Sequence, residues 1–422
     1  MMKNSGIEWI GNIPDTWTIV PAGGIFREIR DKNTDLKYKI PFQFKYGEIV
    51  RKSNIGNLES TTEETLQTYT CVTPNTLMIN GLNLNYDFVT QRVAIVKEFG
   101  AITSAYLAVY PNERAILASF ACYLLKGYDG IQVFHSMGSG VRKTFQWKDF
   151  KNLRIALPSL SIQSKIVAHL NKKCAQIDAL ILNQERQIEK LKQYKQSLIT
   201  EVVTKGLDPT VLLKDSGVEW IGKIPEHWGI DKTIRIFNDI GSGTTPKGDQ
   251  YYTNGTVNFI QSGDITGGLL YQSKNKVAQS AINENAALTL YKAPFLIIAM
   301  YGASIGHLSI SMIDACVNQA CCVMNQPSCN FMFAFYCLTG AKDYLIRNAI
   351  GGGQPNISQS ILKALWFPIP NQKEQESIVE ILDNKCKKVD SLISAKQTKI
   401  EKLNQYKKSL IYEYVTGKKE VV

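Results

Sequence analysis

The chain has 422 residues, is 44% hydrophobic and 10% aromatic, and carries a formal net charge of +11. It is too long for one ordinary core, so two or three domains are expected, and too apolar for a disordered chain. No apolar run reaches the roughly 18 residues of a membrane helix, and Met1-Met2-Lys3-Asn4-Ser5 lacks the apolar core of a signal peptide, so a cytoplasmic protein is expected.

The positive charge is unevenly placed. Residues 1–161 carry 18 basic and 14 acidic side chains, residues 162–206 carry 8 and 4, residues 207–370 carry 11 and 11, and residues 371–422 carry 11 and 8. A basic total suits a polyanionic partner, because phosphate contacts drive nucleic-acid affinity. The neutral third stretch must then use a local patch. Nine cysteines and four histidines are present. Cys316, Cys321, Cys322 and Cys329 form no CxxC pair, so buried reduced thiols are expected rather than zinc ligands.

The first element is the motif Ser5-Gly6-Ile7-Glu8-Trp9-Ile10-Gly11-Asn12-Ile13-Pro14-Asp15-Thr16-Trp17. Residues 18–155 then read as mixed α/β. Thr70–Thr73, Leu77–Ile79 and Arg92–Val96 are short β-rich runs bounded by turn residues such as Pro74-Asn75 and Asn80-Gly81. Ala115–Leu125 is expected to be a helix. From Pro158 to Thr204 apolar residues recur in steps of four and three, at Leu170, Cys174, Ile177, Ile181, Ile188, Leu191, Leu198 and Val202. That is a heptad seam. Gln184 and Lys195 interrupt it; such residues fix register and partner choice, or snorkel at the seam edge.

The chain then repeats itself. Ser216–Trp228 matches the first motif at 9 of 13 positions, and Pro370–Thr416 matches Pro158–Thr204 without a gap, with 23 of 47 residues identical. The second seam is Leu382, Cys386, Val389, Ile393, Ile400, Leu403 and Leu410, broken by Lys396 and Lys407 at the positions equivalent to Gln184 and Lys195. Gly206 and Gly417 follow the two runs as C-terminal stops. Between the repeats, residues 229–367 read as a second mixed insert, with strands at Val257–Ile260, Phe295–Met300 and Cys316–Asn318 and a helix over Phe331–Tyr344. The two inserts do not visibly resemble each other. Two equivalent frames therefore hold two different inserts, and the two helices most simply pair antiparallel.

Polar groups suited to base edges and phosphates cluster in the insert loops. In the first insert they are Arg51, Lys52, Ser53, Asn54, Asn80, Asn83, Gln91, Arg92 and Tyr106, with Arg142 and Lys143 in Gly138-Ser139-Gly140-Val141-Arg142-Lys143, and Gln146. In the second they are Thr244, Thr245, Lys247, Tyr251, Gln261, Ser262, Asp264, Tyr301, Asn318 and Gln319, with Gln354 and Asn356 after Gly351-Gly352-Gly353. Arginine or lysine grips guanine and asparagine or glutamine grips adenine through paired hydrogen bonds, and glycine lets a backbone approach a phosphate. Any one such cluster also reads as an ordinary polar loop.

Catalytic motifs are missing. Gly241–Gly248 lacks the GK[ST] end of a phosphate loop, and no GxGxxG, HExxH, GxSxG or amino-methyltransferase motif occurs. His135 and His307 lack a visible nucleophile partner. No catalytic residue and no metal site is expected, and the chain reads as a binder.

The frame motifs resemble a known family. SGxEWIGxIPxxW, then Pro-x4-Gln-x2-Ile-Val-x2-Leu, then Leu-x2-Tyr-Lys-x-Ser-Leu-Ile-x-Glu-x-Val-Thr, all in duplicate, look like a type I restriction-modification specificity subunit. The resemblance covers nearly the whole chain. It implies an α+β fold in which two target recognition domains are separated by two long antiparallel coiled-coil helices with a pseudo-twofold repeat. The segments would be a first recognition domain over 1–155, a spacer helix over 156–206, a second recognition domain over 207–367 and a second spacer over 368–422. It further implies that the inserts read a bipartite, asymmetric DNA site and that the helix seam docks two methylation subunits, joined by restriction subunits. Those partners would bring S-adenosylmethionine and ATP with Mg; no cofactor is expected on this chain. Other readings of the same residues are a stand-alone or orphan DNA-binding protein, a coiled-coil scaffold with protein-binding inserts, and an enzyme with an unrecognised site.

Overall fold

The computed structural model describes residues 1–52, 61–86, 91–140, 143–351, 353 and 355–421. Two compact units emerge, one formed by Met1–Glu185 with Gln397–Val422 and the other by Arg186–Lys396. Each holds one frame motif, one insert and a part of both long helices, so the units cut across the segments expected from the sequence.

In the first unit the frame motif folds as an antiparallel pair, Met2–Asn4 with Asn12–Pro14, and buries Ile7, Ile10, Ile13 and Trp17. Gly6 and Gly11 turn the chain at positive φ, +68° and +66°, where a side chain would be strained. The insert enters on Thr18–Pro21 and leaves on Arg154–Leu157, which pair with each other. Both ends of the insert therefore meet the frame at one place. Inside it, an antiparallel sheet runs Phe26–Glu28, Leu107–Pro111, Leu77–Ile79, Val93–Ile95. A second sheet runs Glu48–Arg51, Pro41–Lys45, Gly100–Ile102, Thr70–Val72, with one parallel pair between Pro41–Lys45 and Gly100–Ile102. Helix α1, Ala118–Gly130, is apolar on most sides and buries Phe120, Ala121, Leu124, Leu125 and Tyr128.

The second unit repeats this plan. Leu213–Asp215 pairs with Lys223–Pro225, and Gly229–Lys232 pairs with Trp366–Ile369. Its main sheet runs Phe237–Ser242, Cys321–Pro327, Phe295–Ala299, Leu308–Ser311, Gly268–Leu270. Its smaller sheet runs Asn275–Val277, Val257–Ile260, Ala315–Val317, again with one parallel pair, Val257–Ile260 on Ala315–Val317. The strand order of the first four members of the main sheet, and the parallel pair of the smaller one, match the first insert. The inserts share a topology that their sequences hide. Phe295–Ala299 is buried at every position because Leu296 and Ile298 face one core cluster while Phe295, Ile297 and Ala299 face another.

Two long helices complete the molecule: α2, Leu160–Lys205, and α4, Gln372–Val415, with the insert helix α3, Phe331–Gly340, between them in the chain. At about 1.5 Å per residue each long helix is roughly 65–70 Å in length. Within each unit their parts run antiparallel. In the first, His169 meets Tyr414 and Asp178 meets Lys407; in the second, Gln187 meets Lys396 and Lys195 meets Asp390. Along the seam Leu170, Ile177, Ile188, Leu198, Leu382, Val389, Ile400 and Leu410 are buried, while Ile181, Leu191, Ile393 and Leu403 are half-buried. Each helix ends on a left-handed glycine, Gly206 at φ +75° and Gly417 at φ +71°. A Cβ on Gly206 would stand 3.1 Å from Trp228, and one on Gly417 would stand 2.5 Å from Pro14. Each helix end thus packs on the frame motif of its unit.

The three lysines that interrupt the seam have partners. Lys407 Nζ donates to both carboxylate oxygens of Asp178, at 2.6 and 2.7 Å, and Lys195 Nζ to both of Asp390, at 2.8 and 2.7 Å. These pairs are repeat equivalents of each other. Lys396 donates to Gln187, and Gln184 is buried.

Candidate nucleic-acid interface

In the first insert the strand Leu77–Ile79 runs out into Asn80-Gly81. There the Asn80 amide donates to Arg92 O (2.8 Å), the Phe145 amide to Gly81 O (2.9 Å) and the Leu84 amide to Lys143 O (3.1 Å). A Cβ on Gly81 would stand 2.2 Å from Phe145 O, so only glycine allows this approach. Asn80, Asn83, Lys143 and Gln146 are thereby gathered along one edge. Asn83 and Lys143 hold positive φ, 52° and 25°. Gln146 caps a short helical turn over Trp147–Phe150 in a capping box with Asp149.

Arg92 does not belong to that surface. It is 1% exposed, and its guanidinium donates to Asn80 O (2.9 Å) and Leu82 O (2.8 Å). Its amide binds the Asp129 carboxylate at 2.9 Å. Arg92 braces the loop from inside, and the expectation that it meets a ligand is corrected. A buried cation needs such acceptors, and the surrounding burial raises the Asp129 pKa despite the Arg92 amide and charge. Arg51 and Lys52 lie elsewhere, at the edge of the second sheet, and Tyr106 reaches that sheet from the turn before Leu107. Arg51 pairs with Glu98, the Lys52 amide donates to Pro41 O, and the Tyr106 ring packs on Phe44 at 5.5 Å. Gln91 lies against Gly47 in the turn of that sheet. Ser53, Asn54 and Arg142 fall outside the described residues.

The second insert builds the corresponding edge more fully. Tyr301 forms an isolated bridge with Asn356, the Ile357 amide donates to Met300 O (2.7 Å), and the Met300 amide to Ala320 O (2.8 Å). The Asn318 amide donates to Ile260 O (3.1 Å), which brings Gln261 and Ser262 alongside. Thr245 donates its hydroxyl to Gln319 Oε1 (2.7 Å), and Asn275 its amide to Gln261 Oε1 (3.1 Å). Thr244 is carried with Thr245, because Gly243 presses against Val317 O so closely that a Cβ there would stand 1.8 Å away. The result is a row of amides and hydroxyls: Thr244, Thr245, Gln319, Asn318, Gln261, Ser262, Tyr301 and Asn356. Asn275, not singled out from the sequence, joins it. Asp264 turns inward, its carboxylate accepting from the Gln261 amide at 2.9 Å. Lys247 is exposed nearby in sequence, and Tyr251 donates its hydroxyl to Glu284 at 2.6 Å. Gln354 lies outside the described residues.

Chemically this surface offers donors and acceptors, with few charges. His307 is tied to the backbone of Ile265 at 3.2 Å. Among the described residues no group of three or more His, Cys, Asp or Glu side chains is placed to hold a metal. Burial raises the thiol pKa of Cys321 and Cys322 to about 12 and of Cys316 and Cys329 to about 11, far from thiolate chemistry. Among the described residues no helix is long and apolar enough to cross a membrane.

Sequence reasoning missed the residues that join insert to frame. Gln163, of the Pro-x4-Gln motif, is fully buried; it accepts from the Leu117 amide (2.8 Å) and donates to Ala115 O and Pro158 O (3.0 and 2.9 Å). Its repeat equivalent Gln375 accepts from the Asn330 amide (2.8 Å) and donates to Pro370 O (2.9 Å). Each glutamine fastens the start of an insert helix to a long helix. The insert helices also share Phe-Ala-x-Tyr-x-Leu-x-Gly, Phe120–Gly127 in α1 and Phe333–Gly340 in α3. That echo was readable in the sequence, but eight residues with five matches are lost in inserts that otherwise differ.

Comparison with known proteins gives this architecture its class. Residues 225–405 match the type I restriction modification DNA specificity domain, and the first unit repeats the frame that this match includes. The chain is 26% identical to the putative type I restriction enzyme MjaX specificity subunit of Methanocaldococcus jannaschii, over 97% of this chain and 95% of that one. It is 23% identical to the MjaVIII specificity subunit of the same organism, over 96% and 93%. A solved chain from work on complex assembly and conformational transition of the type I R-M system superposes with a TM-score of 0.66 at 15% identity, over 96% of this chain and 98% of that one, a likeness of fold. The chain thus matches a type I DNA specificity domain in its second half and is similar along nearly its whole length to type I restriction enzyme specificity subunits.

Proposed function

We propose that each insert reads one half of a bipartite, asymmetric DNA site, and that the long helices dock two methylation subunits, with restriction subunits joining them. The chain itself does no chemistry. S-adenosylmethionine belongs to the methylation subunits, and ATP with Mg to the restriction subunits. The observation that carries this reading is the recurrence, in two inserts of unlike sequence, of the same polar edge: Asn80–Gly81 against Phe145 in one, Met300–Tyr301 against Asn356–Ile357 in the other. A shared scaffold that varies only its edge residues suits two readers of two different sequences. Amides and hydroxyls of that kind match base edges in the major groove. Acting on a base in a duplex requires flipping it out, so reader and methylating partner must hold the same DNA together.

The test is genome-wide mapping of N6-methyladenine by single-molecule sequencing in cells with and without this chain. Loss of one bipartite motif on deletion is expected. Unchanged methylation would overturn the reading in favour of a scaffold or an orphan binder.

A further inference from the structure

We infer that the shared Phe-Ala-x-Tyr-x-Leu-x-Gly helix is a common plug, and that its tyrosine and glycine are positioning residues that fix the angle of each insert on the helical frame. Through that angle they set the half-site spacing the protein accepts. This rests on the DNA-reading function proposed above.

Tyr123 of α1 donates its hydroxyl to Asn171 Oδ1 of α2 at 2.8 Å; Tyr336 of α3 donates to Asp383 Oδ1 of α4 at 2.5 Å. Asn171 and Asp383 are repeat equivalents. One turn later on each insert helix comes the glycine, and it faces the other long helix. A Cβ on Gly127 would stand 3.0 Å from Val415 Cγ2 of α4, and one on Gly340 would stand 3.2 Å from Val203 Cγ2 of α2. Val415 and Val203 are again repeat equivalents. Each insert helix therefore touches both long helices, one through a hydroxyl and the other through a bare Cα. At this distance an added methyl requires the valine or the insert helix to give by a few tenths of an ångström, and close packing makes that displacement felt along the helix.

The tie matters because the contact around it is open. A cleft of about 740 Å³ lies beside Tyr123, Asn171 and Lys407, and one of about 1040 Å³ beside Tyr336, Asp383 and Lys195. Gln163 and Gln375 pin the start of each insert helix; on the open flank further along, the hydroxyl bond and the glycine contact limit its tilt. Neither residue is on the polar edge, so both act through the insert's orientation, without touching DNA.

The experiment expresses full-length variants in place of the natural chain and maps N6-methyladenine across the genome. It scores the recognised bases and the gap between half-sites separately. Y123F and Y336F should leave the bases unchanged and raise the share of methylated sites with a gap one base pair off by roughly five- to tenfold, the factor expected for one lost hydrogen bond. D383N, which keeps an acceptor, should retain the natural gap. G127A should relax or shift the gap, and G127A/V415A, which makes room for the added methyl, should restore it. Melting of each purified variant separates misfolding from misplacement. An unchanged gap distribution in folded variants, or altered bases, would overturn the inference. If the natural chain directs no bipartite methylation at all, the DNA-reading function itself fails and the inference falls with it.

Discussion

At the scale of single residues, the duplicated frames differ at the start of their long helices. In the second, Glu374 accepts from His227 (2.7 Å), from the Trp228 indole (3.2 Å) and from the Asn371 amide (3.2 Å), while its own amide donates to Asn371. Burial opposes its ionisation, but those bonds outweigh it and hold the Glu374 pKa below the ordinary value of 4.5. A carboxylate whose pKa falls on folding contributes stability above its unfolded value and loses it as pH drops through the folded one. The second unit should therefore weaken below about pH 4.5, and E374Q should flatten that acid limb in melts followed against pH; an unaltered acid limb would show that Glu374 is not responsible. The first unit has Ile162 and Thr16 at the equivalent places and lacks this limb. The glutamines Gln163 and Gln375 matter in both units. Replacing Gln163 by leucine strands a buried amide and two carbonyls, at a cost of about 2–4 kcal/mol, visible as a lowered denaturant midpoint. The exposed Lys407–Asp178 and Lys195–Asp390 pairs should each be worth less than about 1 kcal/mol.

At the scale of elements, the seam carries the pairing of the long helices. Leu170 and Leu382 are fully buried, whereas Leu191 and Leu403 are half-exposed. Leucine-to-alanine changes should cost about 3–4 kcal/mol at the first two and roughly half as much at the second two, where less apolar surface leaves water. Denaturant melts of the four variants check the order. A charge at both Leu191 and Leu403 should loosen helix pairing or partner docking, read as loss of complex on co-purification. The heptad steps were legible in the sequence because period 3.5 survives any packing detail. The helix ends were legible too, marked by proline before and glycine after. The expected helix over Phe331–Tyr344 instead stops at Gly340 and restarts as Lys342–Arg347. The expected helix at Ala115 starts three residues later, at Ala118, because the Ala115 and Leu117 backbone groups are taken by Gln163.

At the scale of the whole molecule, the modular plan predicts how specificity divides. Exchanging residues 18–155 for the insert of another specificity subunit should change one half-site and leave the other intact in methylation maps; alteration of both would defeat the independent-reader plan. The second insert region is formally neutral, and its polar edge is made of amides and hydroxyls. The purified chain alone should therefore bind DNA weakly, with a shallow salt slope that steepens when methylation subunits add phosphate contacts. Tight, site-specific binding by the chain alone would contradict this.

The sequence by itself determined the frame: two copies of one motif, two heptad seams, and the family they resemble. These are local or periodic signals, and they survive without knowledge of what packs against them. Of the candidate site, it located the loops but not their roles. Arg92 looked like a phosphate ligand and is an internal brace, since charge type in a sequence says nothing of which way a side chain is buried. Tyr251 is bonded to Glu284, while Thr245 is bonded to Gln319. Only the tertiary structure decided that two unlike inserts share one topology, because strand order is set by long-range pairing that many sequences satisfy. It also decided that each compact unit draws on both long helices, because antiparallel packing brings together segments some two hundred residues apart, such as Asp178 and Lys407.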